Sequence, residues 1–394
     1  MFRWELLFVL LVVVMHITCN GQLSVSAAEL ITQDIQCDNA SSSSTPLTLN
    51  ATNATNRHFR LLNCTRRTKV SVLCGIDADH PLTIEVVGGT TLPLFTLDGC
   101  RGVGGVSTFS DVVLAVSSVV MTLLPGNQLI GASTSFGMEN VLTPLLFYSE
   151  ASNLYRVSII VEHSQLQWIS TRSSSSQLED SVLIGFITDD VANVSALIRN
   201  TSMFLWSNAS LASLVAVISL LGGNLSLVMW EQSKLHVVHR PVAFVDTDSV
   251  LVRFNCASSC VFFNVAVLNS IVMLDSTGIA VVFVEFYSSV WATVVDSNVT
   301  MEDTNFTLQA QILCYVTSAS NAILRRAYVS VLRSNVTGVL DMSNVSTLSF
   351  TKKNPSLFFA RTTTAIADEL VIRVTSVILT AMRNLSHNAQ ALLS

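Results

Sequence analysis

The chain has 394 residues, of which 50% are hydrophobic and only 12% charged, with a formal net charge of −6 and a mean hydropathy of +0.54. That composition is too apolar for a disordered chain, and without a large basic patch it excludes nucleic acid as a partner. A spanning helix needs about 20 predominantly apolar residues; residues 211–221 are too few, and residues 261–284 are broken by Asn264, Asn269, Ser270 and Asp275, so internal membrane spans are not expected.

Residues 1–28 read as a signal peptide: Arg3 opens a short basic region, an apolar run extends from Leu6 to Ile17, and cleavage follows Gly21 or Ala28. A retained anchor is the alternative. Residues 29–105 hold Cys37, Cys64, Cys74 and Cys100, a serine run at Ser41 to Ser44, and a glycine-rich region containing Gly88, Gly89, Gly99 and Gly102. Four cysteines in an oxidising compartment allow three pairings, and spacing does not choose among them. This region is expected to be an N-terminal cap, because the first turn of a repeat array exposes an unpaired edge.

From residue 106 to 394 the chain reads as repeats. Six segments share one rhythm: alternating apolar residues, a polar step ending in Ser or Thr, then renewed alternation. The six pivots are Ser164, Thr201, Ser233, Ser270, Ser297 and Ser334, spaced by 37, 32, 37, 27 and 37 residues, and each follows a polar residue (His163, Asn200, Gln232, Asn269, Asp296, Arg333). From Val267 to Val272 the apolar gap is five residues. An odd gap inverts the facing of a straight strand, so the step must bend the chain for both flanks to reach one interior. Looser copies, read as one residue shorter at the bend, occur at Val113 to Thr122 and Val371 to Thr380. Ser173 to Ser176 and Leu221-Gly222-Gly223-Asn224 look like loops between repeats. The expected fold is all-β: a right-handed parallel β-helix, a solenoid of pectate-lyase-like form, with a Cys-containing N-terminal cap. A two-sheet β-sandwich is the alternative.

Thirteen Asn-x-Ser/Thr sequons are present, at Asn39, Asn50, Asn53, Asn63, Asn193, Asn200, Asn208, Asn224, Asn298, Asn305, Asn335, Asn344 and Asn384, more than composition alone would produce. Asn298-Val299-Thr300 and Asn335-Val336-Thr337 are expected at equivalent positions after their pivots, with Val inward and Asn outward.

Candidate chemistry is sparse. His236 and His239, followed by Cys256 and Cys260, have the residue types of a tetrahedral zinc site, but close cysteines in a secreted chain more often form disulfides, so no metal or cofactor is expected. With Cys19 in the leader, seven cysteines remain, leaving one over, such as Cys314. The tight acidic groups are Asp189-Asp190, Asp246 with Asp248, and Glu302-Asp303; no Arg, His or Lys pattern surrounds them, and solvated loop carboxylates are expected. No nucleophile elbow, zinc-helix, phosphate-loop or EF-hand motif is present. Trp168, Trp206, Trp230 and Trp291 are expected in the core, with a sugar-stacking platform as the alternative.

Taken with the apolar leader, the N-terminal Cys segment and repeats such as Val329-Ser-Val-Leu-Arg-Ser-Asn-Val-Thr, the chain resembles the dispersed gene family surface proteins and related membrane-associated proteins of kinetoplastid protists. The resemblance implies parallel β-helix repeats and a host- or environment-facing surface role such as adhesion, with no catalytic residues to carry over. Those proteins are typically longer and end in membrane-spanning helices, and residues 388–394 here carry no apolar tail. The reading is therefore a non-enzymatic, secreted or cell-surface repeat glycoprotein, membrane-associated in keeping with the resemblance but with no C-terminal anchor in this chain. Surface glycans or matrix proteins are the expected partners, and possible disulfides draw on Cys37, Cys64, Cys74, Cys100, Cys256 and Cys260. A carbohydrate-active β-helix enzyme, lyase or glycosidase, is the runner-up, and a coat component without a specific ligand is the third reading.

Overall fold

The computed structural model describes residues 32–37, 47–51, 57–65, 68–74, 81–96, 108–123, 134–135, 141–148, 153–170, 179–207, 212–240, 249–256, 259–276, 281–288, 293–309, 312–318, 323–340, 356–362 and 366–383. Among these residues the structure is almost entirely β-strand, in a 21-stranded and an 8-stranded sheet. The expected all-β class is what the chain adopts. Pairing is parallel throughout the described strands except where Thr134–Ser135 meets Val141–Tyr148, which departs from the antiparallel pairing usual in a two-sheet sandwich.

The strands stack in three ladders. One runs through Leu47–Ala51, Lys69–Cys74, Leu94–Thr96 and Val141–Tyr148. It continues through the first half of Glu179–Arg199 and of Ala212–Glu231 to Ser249–Cys256, Val281–Ser288, Ile312–Ser318 and Ser356–Thr362. The second begins with Thr32–Gln36, His58–Cys64, Leu82–Gly89, Thr108–Ser117 and Asn153–Glu162. It takes in the second halves of the two long strands, then Ser259–Leu268, Asn298–Glu302, Ile323–Leu332 and Ile366–Thr375. The third is the smaller sheet, from Val120–Leu123 through Gln165–Ser170, Ser202–Ser207, Lys234–His239, Ile271–Ser276, Asn305–Gln309 and Asn335–Leu340 to Ile378–Arg383. Strands between residues 32 and 96 thus continue the same parallel ladders as the strands that follow.

The bend between the second and third ladders has a simple cause. At this corner His163, Asn200, Gln232, Asn269, Asp303 and Arg333, each just before an inward hydroxyl, have a left-handed backbone, with φ from 45° to 50°. One left-handed residue resets the alternation, so Val161, Ser164 and Leu166 all face inward and are buried, as are Val267, Ser270 and Val272. The conformation costs a non-glycine residue about 1–2 kcal/mol, least for Asn and Asp, which accounts for Asn200, Asn269 and Asp303 at these exposed corners.

At this corner the hydroxyls of Ser164, Thr201, Ser233, Ser270, Thr304 and Ser334 are buried and doubly bonded. Ser164 Oγ accepts the Val119 amide at 3.2 Å and donates to the Glu162 carbonyl at 2.8 Å. The pattern repeats as Thr201 Oγ1 accepts from Ser164, Ser233 from Thr201, Ser270 from Ser233, Thr304 from Ser270 and Ser334 from Thr304, across 3.2 to 3.5 Å. Each of these hydroxyls also donates to the carbonyl two residues earlier. A backbone amide that a straight ladder would leave unpaired at the bend is satisfied in this way.

The column corrects three expectations. Ser297 does not belong to it: Thr304 occupies the position between Ser270 and Ser334, so the true separations there are 34 and 30 residues. Ser297 instead follows a second left-handed column, containing Asp111, Arg156, Asn193, Phe262, Asp296 and Arg326, each seven residues before a member of the first. Nor are the end copies shorter at the bend. Ser118 and Ser376 are left-handed, with φ of 56° and 55°, and Val119 and Val377 stand where the other repeats place a hydroxyl. The glycine turn at residues 221–224, finally, lies inside the strand Ala212–Glu231, with Gly222 and Gly223 paired to Ser259 and Cys260. A Cβ on Gly223 would meet Cys260 Sγ and the Phe263 ring at 3.1 Å. The serine run at residues 173–176 lies outside the described residues.

Ser297 has a packing role. Ser226 pairs with Phe263, and Asn264 with Asn298, so Ser226, Phe263 and Ser297 occupy one inward column on successive strands. Phe263 is 1% exposed and stacks on Phe254 at 4.8 Å. Two small residues flank a large one, the alternation that close packing of a narrow interior demands. Neither the Ser226 nor the Ser297 hydroxyl has a hydrogen-bond partner.

At the N-terminal end a disulfide joins Cys37 to Cys64 over a separation of 27 residues. By loop-closure entropy such a link contributes about 3–4 kcal/mol. It resolves two of the four cysteines left open by spacing; the side chain of Cys74 and the whole of Cys100 lie outside the described parts. Cys260 is buried and also disulfide-bonded.

Candidate interaction surface

Side chains that alternate with the core form the outer surface, and in-register parallel pairing brings like positions about 4.8 Å apart. Opposite charges placed at one position in successive repeats therefore meet. In the earlier left-handed column Arg156 donates to Asp111 at 2.5 and 2.6 Å, and Arg326 to Asp296 at 2.5 and 2.8 Å. In the later column Arg333 donates to Asp303 at 2.9 and 2.8 Å and also reaches Glu302. These forked bonds hold the Asp111, Asp296 and Asp303 carboxyls below their ordinary range, against a weaker opposing effect of desolvation. Asp296 and Asp303 share one repeat and Arg326 and Arg333 the next, so two parallel clamps tie those repeats together.

The described sequon asparagines lie on the outside or at half-buried positions. Asn50, Asn63, Asn200, Asn224, Asn305 and Asn335 are exposed, and Asn193 and Asn298 are half-buried. Val299 and Val336 face inward, at 0% and 5% exposure. Their two sequons are not equivalent, however: Asn298 lies in the second ladder, whereas Asn335 lies in the third, paired with Asn305. Asn335 Nδ2 donates to Asn305 Oδ1 at 2.9 Å, stacking two sequons. The remaining five, Asn39, Asn53, Asn208, Asn344 and Asn384, lie outside the described residues.

The acidic candidates do not assemble a catalytic pair among the described residues. Asp190 sits beyond the register shift in Glu179–Arg199 and accepts the Tyr155 phenol at 3.1 Å. Desolvation first, and this bond second, raise the Tyr155 pKa. Glu302 and Asp303 are bound by Arg333; Asp246 and Asp248 lie outside the described residues, as does the side chain of Asp189. Of the zinc quartet, the side chains of His239 and Cys256 lie outside the described parts, and the two described members do not meet. His236 lies in the third ladder against Phe204, with ring centroids 5.2 Å apart, while Cys260 lies in the second ladder and is committed to a disulfide. No cluster of three or more metal-ligating side chains occurs among the described residues. No helix there is long and apolar enough to cross a membrane, which does not bear on strands.

The tryptophans divide. Trp168 and Trp230 are core residues at 1% and 2% exposure, whereas Trp206 is half-buried on the outer side of the third ladder. Trp206 follows Phe204 at the next outward position, and Phe204 pairs with His236, which pairs with Met273. Ile271 and Met273 are 38% and 39% exposed. The middle strands of this face therefore present apolar and aromatic side chains, while Gln165 and Gln167 before them and Asn305 and Thr307 after them are polar. Trp168 and Trp230 thus meet the core expectation and Trp206 does not, while Trp291 lies outside the described residues; the alternation Ser202-Met203-Phe204-Leu205-Trp206 carries the signal, once Met203 and Leu205 are assigned inward. Comparison of the chain with protein-family models, curated proteins and solved structures gives no match.

Proposed function

We propose that the chain is a non-catalytic glycoprotein of the secretory route, wound as a right-handed parallel β-helix whose outer faces serve display or adhesion at the cell surface or after secretion. Three parallel ladders with matching strand order support the winding. The pivot column carries the reading, because a chain that places a buried hydroxyl at one corner through successive repeats is built as a scaffold with a long, regular exterior. The Cys37–Cys64 disulfide fits an oxidising, extracellular compartment. Exposed sequon asparagines support glycosylation, and the pairing of Asp190, Glu302 and Asp303 with Tyr155 and Arg333 supports a structural role for those carboxylates.

Expression of the full chain in glycosylating eukaryotic cells tests this, with the medium and cell surface assayed and glycopeptides mapped after enzymatic release in heavy-oxygen water. Export with occupancy at exposed sequons such as Asn50 or Asn224 is expected. An intracellular, unglycosylated product would overturn the proposal.

A further inference from the structure

The outward face of the third ladder gathers its aromatic side chains on its middle strands, while isolated apolar residues such as Val120 and Ile378 stand exposed at its ends. On a solvated sheet face polar side chains alternate with the core, as they do at Gln165, Gln167, Asn305 and Thr307. Between those rows Phe204, His236 and Met273 stand in register on three consecutive strands, with Trp206 beside Val238 at the next outward position and Ile271 beside Lys234 at the previous one. An apolar patch rimmed by polar groups is a recognition surface. The half-buried rings share one ladder: Phe204 and His236 meet edge to face at 5.2 Å, and Trp206 stands one outward position along the strand.

We infer that this face binds a neutral oligosaccharide, a deepening that rests on the adhesion reading proposed above. Ring faces carry negative charge density and attract the weakly positive C–H bonds lining the flat side of a sugar ring. The rim supplies what sugar hydroxyls need: the amide of Gln167 and the hydroxyl of Thr307 both donate and accept. Charge complementarity selects a neutral chain. Asp275 is tied to Arg240 at 2.5 Å, leaving Lys234 as a solitary exposed charge among these rows, too little to favour an anionic polymer. The strand spacing offers a ligand laid across the strands a new set of contacts about every 4.8 Å, so an extended chain can engage several rows at once.

The test is calorimetric and fluorescence titration of the full secreted protein with maltohexaose, cellohexaose, laminarihexaose and mannohexaose, and with hexagalacturonate as the charged control, before and after enzymatic removal of its N-glycans. At least one neutral chain binds and hexagalacturonate does not. Trp206→Ser and Phe204→Ser each weaken binding about three- to tenfold, as expected for losing a ring contact, with the thermal melt lowered only slightly because both side chains are half-buried on the outer side. Should either variant lose its melt, His236→Gln reads the same surface. Binding by no neutral chain, or equal binding by the variants, overturns the inference while leaving export and glycosylation intact. Binding only after deglycosylation, or a self-association abolished by Trp206→Ser, would assign the face to the glycan of Asn305 or to a second copy, and would overturn it equally.

Discussion

Ser270 Oγ accepts the backbone amide of Ser233 at 3.2 Å, across 37 residues of chain. The same hydroxyl donates to the Leu268 carbonyl at 2.8 Å, so one buried atom serves two strands at the corner. Replacing Ser270 by Ala strands the Ser233 amide, and a loss of about 1–3 kcal/mol in urea unfolding is expected. Ser270→Thr should retain most of the stability, because Thr201 and Thr304 fill the same position in other repeats of the column. Faster amide exchange at Ser233 in the Ala variant identifies the cause.

Ser297→Ala should behave differently, although both serines read alike in sequence. The Ser297 hydroxyl has no hydrogen-bond partner, so its removal is expected to change stability by less than about 0.5 kcal/mol, or to raise it. Ser297→Phe would crowd Phe263 and should cost about 1–3 kcal/mol. The same unfolding curves distinguish the two serines.

Gly89 has φ +106°, and a Cβ there would lie 2.4 Å from the Cys64 carbonyl oxygen. Backbone cannot yield as a flexible side-chain tip does. Gly89→Ala is expected to destabilise by about 2 kcal/mol or more, read from the thermal midpoint of the oxidised protein, with no such effect for an Ala at exposed Thr307.

The Asp–Arg clamps predict a sign for the acid response. Asp111 and Asp296 bind their protons more weakly when folded than at their ordinary value of 3.8. Their contribution is therefore complete above that value and fades as pH falls through the lowered folded values. Stability measured between pH 5 and pH 2, as flagged by carboxylate linkage, should fall less steeply in Asp296→Asn than in the parent. Because these pairs are solvent-exposed, salt should weaken the difference.

The inward alternation and the bend were legible because period-two burial and an odd apolar gap are local properties, visible from Val267 to Val272. The phase of one repeat was not. Asp296-Ser297-Asn298 and Asp303-Thr304-Asn305 present the same acid, hydroxyl and amide seven residues apart, and both Asp296 and Asp303 are left-handed. Only register across strands tells the two corners apart, since Ser270 pairs onward with Thr304. The Arg326–Asp296 and Arg333–Asp303 clamps and the choice of Cys37 with Cys64 depend on the same non-local alignment. Trp206 was misassigned for a related reason: a tryptophan beside alternating apolar residues reads as core until the phase of Met203 and Leu205 is known.

Distances between nitroxide side chains placed at outward positions of one column measure the stacking directly. Gln167 pairs with Phe204, then His236, Met273, Thr307 and Thr337 follow on successive strands. Labels at Gln167 with Met273, with Thr307 and with Thr337 should lie about 14, 19 and 24 Å apart, one strand spacing of about 4.8 Å per repeat. Distances that do not climb by one spacing per repeat would contradict the parallel, in-register stack on which the pivot column and the outer face depend.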